Sequence, residues 1–406
     1  MIELLSLNEF EKASEIVKTV TAHTELVYSD FFSSLSGNNI YMKPENMQYT
    51  GSYKLRGAYY KISTMTEEER AKGLITASAG NHAQGVAYAA NKYGIKATVV
   101  MPKTTPLIKV NRTKAHGAHV ILHGDVYDDA CNYATNMSNE EGLVFVHPFN
   151  DLRVAAGQGS VAVEILEELP DTDIILVPVG GGGLATGVSA FAKQKNPNIK
   201  VIGVEPEGAA CLKASLDAGR VVTLSEINTI ADGTAVQTPG TKLFPYLETF
   251  IDDIITIPDK ELIVAYLDMV ENHKMIVENS GLLSIAAIKH LNAKKKNIVS
   301  ILSGGNMDVI TMSSVISQGL VLRSRIFTVS VLLPDKPGEL VRVSDIIAKN
   351  NGNVIGLEHN QFVSINRNAA VELQITIEAF GSEHKNHIVN ALESEGLTPR
   401  IVNVRL

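Results

Sequence analysis

The chain has 406 residues, 45% of them hydrophobic and 20% charged, enough for sizeable cores and for about two or three domains. Its 36 basic and 44 acidic residues leave a net charge of −8, which argues against a nucleic-acid binder. Two cysteines, Cys131 and Cys211, cannot build a disulfide framework.

Residues 174–192 carry no charge, but Pro178 and four consecutive glycines interrupt them, so they would make a poor membrane helix. The N-terminal stretch carries Glu3, Glu9 and Glu11 and does not read as a signal peptide. The expectation is a cytoplasmic protein.

From about residue 74 to 310, short apolar runs alternate with longer amphipathic ones. LITA (74–77) reads as a strand, followed by a helix through about Tyr93, the strand ATVVM (97–101), a helix over about 107–115 and the strand HVILH (119–123). Further on, IILVPV (174–179), VIGVE (201–205) and NIVSIL (297–302) read as buried strands. Such alternation predicts βαβ units and an α/β fold with parallel sheets. SQGLVLRSR (317–325) is the expected linker. Beyond it the character changes: a strand at 326–334, a helix from Pro337 to Gly352, strand-like runs around 353–364 and 368–380, a helix over 383–395 and a last strand. That βαββαβ order is ferredoxin-like.

Four segments can carry chemistry. Lys54 sits at an expected helix start within Thr50-Gly51-Ser52-Tyr53-Lys54-Leu55-Arg56-Gly57. Burial and a helix N-terminus both lower a lysine pKa toward the neutral amine that Schiff-base chemistry needs. Ser78-Ala79-Gly80-Asn81-His82 opens a helix at a strand end, where free N–H groups suit an anion; plain capping by Ser78 or Asn81 is the alternative. Gly180, Gly181, Gly182 and Gly183, followed by Leu184, let the backbone approach a phosphate. Gly180, Gly182 and Ala185 also mimic a dinucleotide fingerprint, with Glu205 about where a ribose-binding acid would stand, so a nicotinamide-dependent oxidoreductase is a rival reading. Ser303-Gly304-Gly305-Asn306 ends a fourth strand. The last three lie at the carboxyl ends of expected parallel strands, where open α/β sheets bind ligands. His116, His119 and His123 do not form a metal site, because Gly117 should end the helix and 119–123 reads as a strand. No metal site is expected.

In this order the four motifs resemble those of the threonine dehydratases (threonine ammonia-lyases), pyridoxal-phosphate enzymes of the tryptophan-synthase-β fold type, with serine racemases and serine dehydratases as close relatives. The C-terminal segment, with Asp335-Lys336-Pro337-Gly338-Glu339-Leu340, looks like an ACT domain. The resemblance implies a catalytic domain over residues 1–320, with a small lobe of about 47–150 inserted in a larger one, and a regulatory ACT domain over 326–406.

It also implies roles. Lys54 matches the lysine that holds the cofactor, pyridoxal 5'-phosphate, and Tyr53 the aromatic beside its ring. Asn81 matches the asparagine on the cofactor's phenolic oxygen, and Ser78, Ala79, Gly80, Asn81 and His82 the loop that grips the substrate carboxylate. Gly180, Gly181, Gly182, Gly183 and Leu184 match the phosphate cup, and Ser303 the residue facing the pyridine nitrogen. Glu205 and the Ala209 carbonyl match part of a divalent-metal site of racemase relatives, but Cys211 stands where those have an acid, and that site is not expected here.

The implied reaction is deaminating dehydration of L-threonine to 2-oxobutanoate and ammonia, with serine giving pyruvate. An amino-acid effector, isoleucine or valine, would bind at the ACT domain, and a homotetramer or homodimer is the usual assembly. A racemase or serine dehydratase, the oxidoreductase above and an inactive amino-acid sensor are the alternatives.

Overall fold

Runs of four or five apolar residues become the central strands. In the structure, a computed structural model that describes residues 5–361 and 371–404, Leu74–Ala77 and Ile174–Pro178 are buried along their whole length. A strand covered on both faces has no reason to alternate with polar residues. The chain forms two compact units, Met1–Asp308 and Val309–Leu406.

The strands of the first unit are β1 (Val27–Tyr28), β2 (Asn39–Lys43), β3 (Leu74–Ala77), β4 (Ala97–Met101), β5 (His119–Leu122), β6 (Val144–Phe145), β7 (Ile174–Pro178), β8 (Lys200–Pro206), β9 (Asp253–Ile257) and β10 (Asn297–Ile301). They form two sheets. The larger has the order β1-β2-β10-β7-β8-β9 and is parallel except for β1. The smaller has the order β5-β4-β3-β6 and is parallel throughout. The smaller sheet is therefore built from chain that lies between β2 and β7 of the larger one.

Helices Leu7–Val17, Lys54–Ser63, Leu152–Glu168 and Gly183–Lys195 pack together around the larger sheet's core. Every residue of the third from Val154 to Ile165 is buried. Its crossing with Lys54–Ser63 needs glycine on both sides. A Cβ on Gly157 would lie 2.7 Å from Gly57 Cα, and one on Gly57 would lie 2.7 Å from the Val154 carbonyl. This close approach fixes the helix that begins with Lys54.

The second unit opens with helix Val309–Leu322. The expected linker at 317–325 is thus helical as far as Leu322, since its apolar run continues the helix and the turn falls at Ser324, which has a positive φ of 54°. Then come β11 (Ile326–Leu333), helix Glu339–Lys349, β12 (Asn353–Asn360), β13 (Val371–Glu378), helix Ser382–Ser394 and β14 (Arg400–Val402). The sheet is antiparallel with order β12-β13-β11-β14. Strand β13 alternates: Val371, Leu373, Ile375 and Ile377 are buried, and Glu372, Gln374 and Thr376 are not. Pro337 lies before the helix it was expected to start, and Gly338 is the N-cap, at φ 95°. Parts of the two expected strands at 353–364 and 368–380 lie outside the described residues.

Candidate active site

Lys54 is the first residue of its helix and Tyr53 the N-cap. The Lys54 Nζ donates to the Pro148 carbonyl at 2.9 Å and lies 5.2 Å from the centre of the Tyr53 ring. Desolvation lowers its pKa to about 8, and the nearby charge of Glu278 only partly opposes this. The amine is therefore largely available without its proton in weakly alkaline solution. Burial, and then the Glu278 charge, keep the Tyr53 phenol protonated.

The fourth motif holds the first in place. Tyr53 N–H donates to the Ser303 carbonyl, Gly305 N–H donates to the Gly51 carbonyl, and Ser52 and Gly304 form an antiparallel bridge. Ser303 itself is buried. Asn306 Nδ2 donates both to the Thr50 carbonyl (2.7 Å) and to Asn81 Oδ1 (2.8 Å), which ties the second motif to the first and fourth.

At the second motif, the helix Asn81–Lys92 has Gly80 as N-cap and no side-chain cap, so simple capping does not account for Ser78 or Asn81. The Ser78 hydroxyl instead accepts from Gly80 N–H, and Asn81 Nδ2 donates to Glu278 Oε1 at 2.6 Å. Ala79 is half-buried. His82 is buried; its Nε2 donates to the Val146 carbonyl at 3.0 Å, and its Nδ1 has no partner. Burial, and next the Lys54 charge, push its pKa down to about 3.

The glycine run turns sharply between β7 and helix Gly183–Lys195, with Gly182 at φ 93° as N-cap. The first N–H groups of a helix have no partner within it. A Cβ on Gly181 would come within 2.3 Å of the Phe149 ring, so the loop lies flat on that side chain and its N–H groups can receive an anion. This cradle fits a phosphate without a basic residue. Phe149 follows Pro148, so one short loop links the Lys54 amine to the glycine cradle.

That loop, His147-Pro148-Phe149-Asn150-Asp151, escaped the sequence reading. Its signal was available: it follows the apolar run at 143–146, which forms β6, the fourth strand of the smaller parallel sheet. His147 Nδ1 accepts from the N–H groups of Phe149 and Asn150, and burial and then Lys54 push its pKa down to about 4. Glu278 was missed as well. It is 6% exposed, and burial, then the charge of Asp232, raise its pKa to about 7.

Glu205 does not face a ribose site. Its carboxylate is buried and accepts from Leu212 and Lys213 N–H at 2.8 Å, at the start of helix Cys211–Ala218. The dinucleotide reading therefore loses its acid. Cys211 is buried, whereas Cys131 is only half-buried. The helix before Gly117 ends at Ala115. Among the described residues, no group of three His, Cys, Asp or Glu side chains could hold a metal ion.

A family model described as "Pyridoxal-phosphate dependent enzyme" matches residues 17–304. The chain belongs to the pyridoxal-phosphate-dependent enzymes. Within them it is 40% identical, over 98% of its length and 100% of the relative's, to an L-threonine ammonia-lyase of Thermotoga maritima. A solved structure of the processed form of threonine deaminase isoform 2 from Solanum lycopersicum matches with TM-score 0.74 and 40% identity, covering 77% of this chain and 92% of that one. Maize serine racemase matches with TM-score 0.73 and 33% identity, over 79% of this chain and 99% of that one. All four motifs lie in or beside the matched region, and the cofactor of this family is pyridoxal phosphate.

Proposed function

We propose that the protein is a threonine ammonia-lyase, converting L-threonine to 2-oxobutanoate and ammonia and L-serine to pyruvate. The observation that carries this reading is the Lys54 amine, set beside the glycine cradle and the Asn81 loop with its pKa lowered to about 8. When bound, pyridoxal phosphate supplies an aldehyde that condenses with amines and a ring that accepts electrons.

In this reading Lys54 holds the cofactor and its Nζ takes the α-proton of the substrate. The N–H groups of Gly180, Gly181, Gly182, Gly183 and Leu184 hold the phosphate. Tyr53 flanks the ring, Asn81 donates to the phenolic oxygen, and Ser303 faces the ring nitrogen. Ser303 is neutral, so it does not enforce a charged ring; that favours elimination over transamination. Ser78, Ala79, Gly80, Asn81 and His82 form the loop that binds the substrate carboxylate. Peptide mapping after borohydride reduction of the holoenzyme tests the assignment. The pyridoxyl group should be on Lys54; finding it on another lysine would refute it.

Elimination rather than racemisation follows from Ala79, whose methyl group cannot return a proton to the face opposite Lys54. D-serine should form far more slowly than pyruvate, as chiral analysis of L-serine turnover can show.

Residues 1–320 form the catalytic domain in this reading, with a small lobe at about 47–150, and 326–406 an ACT domain. The order and sheet of β11 to β14 support the latter. Its effector, isoleucine or valine, would sit at the turn of residues 333–340. There Gly338 exposes the start of helix Glu339–Lys349, and Lys336 and Arg342 flank Glu339. Coupling on the order of 1–3 kcal/mol is expected. A chain truncated at Arg325 should keep activity and lose inhibition by isoleucine; a full-length enzyme indifferent to both amino acids would remove this part. A homotetramer or homodimer in the cytoplasm completes the reading. Among the described residues no helix is long and apolar enough to cross a membrane.

A further inference from the structure

Asparagine is ambiguous: its amide offers an acceptor on one side and two donors on the other, and a half-turn exchanges them. Around Asn81 the ambiguity is resolved by a chain of hydrogen bonds with a fixed direction. It begins at the Thr50 carbonyl, which can only accept. Asn306 Nδ2 must face it, and the same nitrogen donates to Asn81 at 2.8 Å. Asn81 therefore presents Oδ1 to Asn306 and Nδ2 to Glu278, at 2.6 Å. One N–H of Asn81 is then left for a ligand. Turning the amide over would set nitrogen against nitrogen at Asn306 and oxygen against carboxylate at Glu278.

The place of Glu278 is unusual for a structural acid. It is the N-cap of helix Asn279–Ala286, yet its side chain makes no capping bond. The carboxylate instead lies against Gly304 and Asn81, and a Cβ on Gly304 would be 2.3 Å from it. The charged and titratable groups that act on it or feel it are Asp232, Lys109, Lys54 and Tyr53, with the Asn306 backbone also bonded to it. Asp232 and Lys109 pair with each other at 3.3 Å. Arg112 reaches Asn306 Oδ1 at 3.5 Å from the same helix as Lys109, Leu107–Ala115.

We propose that Glu278 and Asn306 are positioning residues that lock the Asn81 amide with its free N–H toward the cofactor, and that the lock is tighter while Glu278 is ionised. Protonated, Glu278 becomes a donor itself, and only Asn306 still penalises the turned amide. This rests on the role of Asn81 given above. It does not touch the covalent role of Lys54, which borohydride mapping reports separately.

The test uses the holoenzyme and its Glu278→Gln, Asn306→Ala and doubly substituted forms. Two quantities are read: the absorption spectrum of the bound cofactor from about pH 6 to 9, and turnover of threonine over the same range. The wild type should show a spectral transition with its midpoint close to 7, the value to which burial raises Glu278. Glu278→Gln should abolish that transition and lower kcat roughly tenfold with a smaller change in KM, since it weakens a charge-assisted bond acting through Asn81. Asn306→Ala should shift the same spectral band even if Glu278→Gln is poorly folded. The double variant should be little worse than the more damaged single one, because both act on one amide. A Glu278→Gln enzyme that titrates like the wild type, a wild-type spectrum in Asn306→Ala, or additive losses in the double variant would each overturn the proposal. Borohydride labelling of Lys54 in every form would show that such a failure belongs to this inference and not to the reading of the active site.

Discussion

Two buried charges lie two residues apart on one helix and meet opposite fates. Arg56 is fully buried, and each of its ends meets a carboxylate: Glu45 at 2.8 Å and Glu164 at 2.6 Å. Lys43 closes the set on Glu164 at 2.7 Å. Burial alone would lower the Arg56 pKa, but Glu45 and Glu164 outweigh it and raise it. Burial alone would likewise raise Glu164, but Arg56 and Lys43 hold it below the usual carboxylate range. Around Lys54 the charges are not matched in this way. Lys54 falls to about 8 and Glu278 rises to about 7, each chiefly by desolvation. The same burial thus produces permanent ions where partners are complete and groups that titrate near neutral pH where they are not. The first arrangement holds the helix; the second makes it reactive.

The comparison is broken most severely at Lys54. Lys54→Ala should lower turnover by several orders of magnitude, since both the covalent anchor and the base are lost. Compared as apoproteins, its circular dichroism and unfolding midpoint should stay close to the wild type, because no ion pair is broken.

Arg56→Ala should do the reverse. It strands the buried Glu45 carboxylate and leaves Glu164 with Lys43 as its charged partner, and is expected to cost about 3–5 kcal/mol. Urea unfolding and soluble yield would show the loss, and any correctly folded fraction should still bind cofactor at Lys54. A stable Arg56→Ala protein would mean that the cluster is not what holds the helix.

The smallest effect separates charge from packing at Glu278. With a folded pKa of about 7 against an ordinary value of 4.5, the folded chain keeps a proton between these pH values that the unfolded chain has lost. Its contribution to stability therefore falls as pH rises through that window, and the penalty is complete above 7. Glu278→Gln cannot ionise, so it should raise the unfolding midpoint by up to about a few degrees at pH 8 and by less at pH 5. An equal shift at both pH values would point to packing instead.

The strands of the first unit were legible because burial on both faces leaves pure apolar runs such as LITA and IILVP. Three of the motif segments were legible because glycine and small residues cluster at strand ends, and the fourth because it sets a lysine at a helix start. Glu278 was not, since an acid beside Asn279 and Ser280 looks like an ordinary helix cap until its side chain is seen to turn away. Asn306 looks like part of a turn; its role depends on Thr50 and Asn81, which no local pattern connects to it. The end of helix Val309–Leu322 is hard to read because Gln318, Gly319 and Arg323 interrupt its apolar residues and imitate a linker.

The contacts that join Asn306 to Thr50 and Asn81 span 256 and 225 residues of chain. Closing loops of that length costs entropy before any contact returns it, so such contacts form late. The smaller sheet, with all its strands between residues 74 and 145, can be complete while the ligand site does not yet exist. A partly folded chain would therefore offer a lysine but no cradle, and cofactor would be captured only by chains that have finished folding. Binding restricted to the native state displaces the equilibrium toward it by mass action. The colour of the bound cofactor is thus a direct readout of how much of a preparation has reached the native fold.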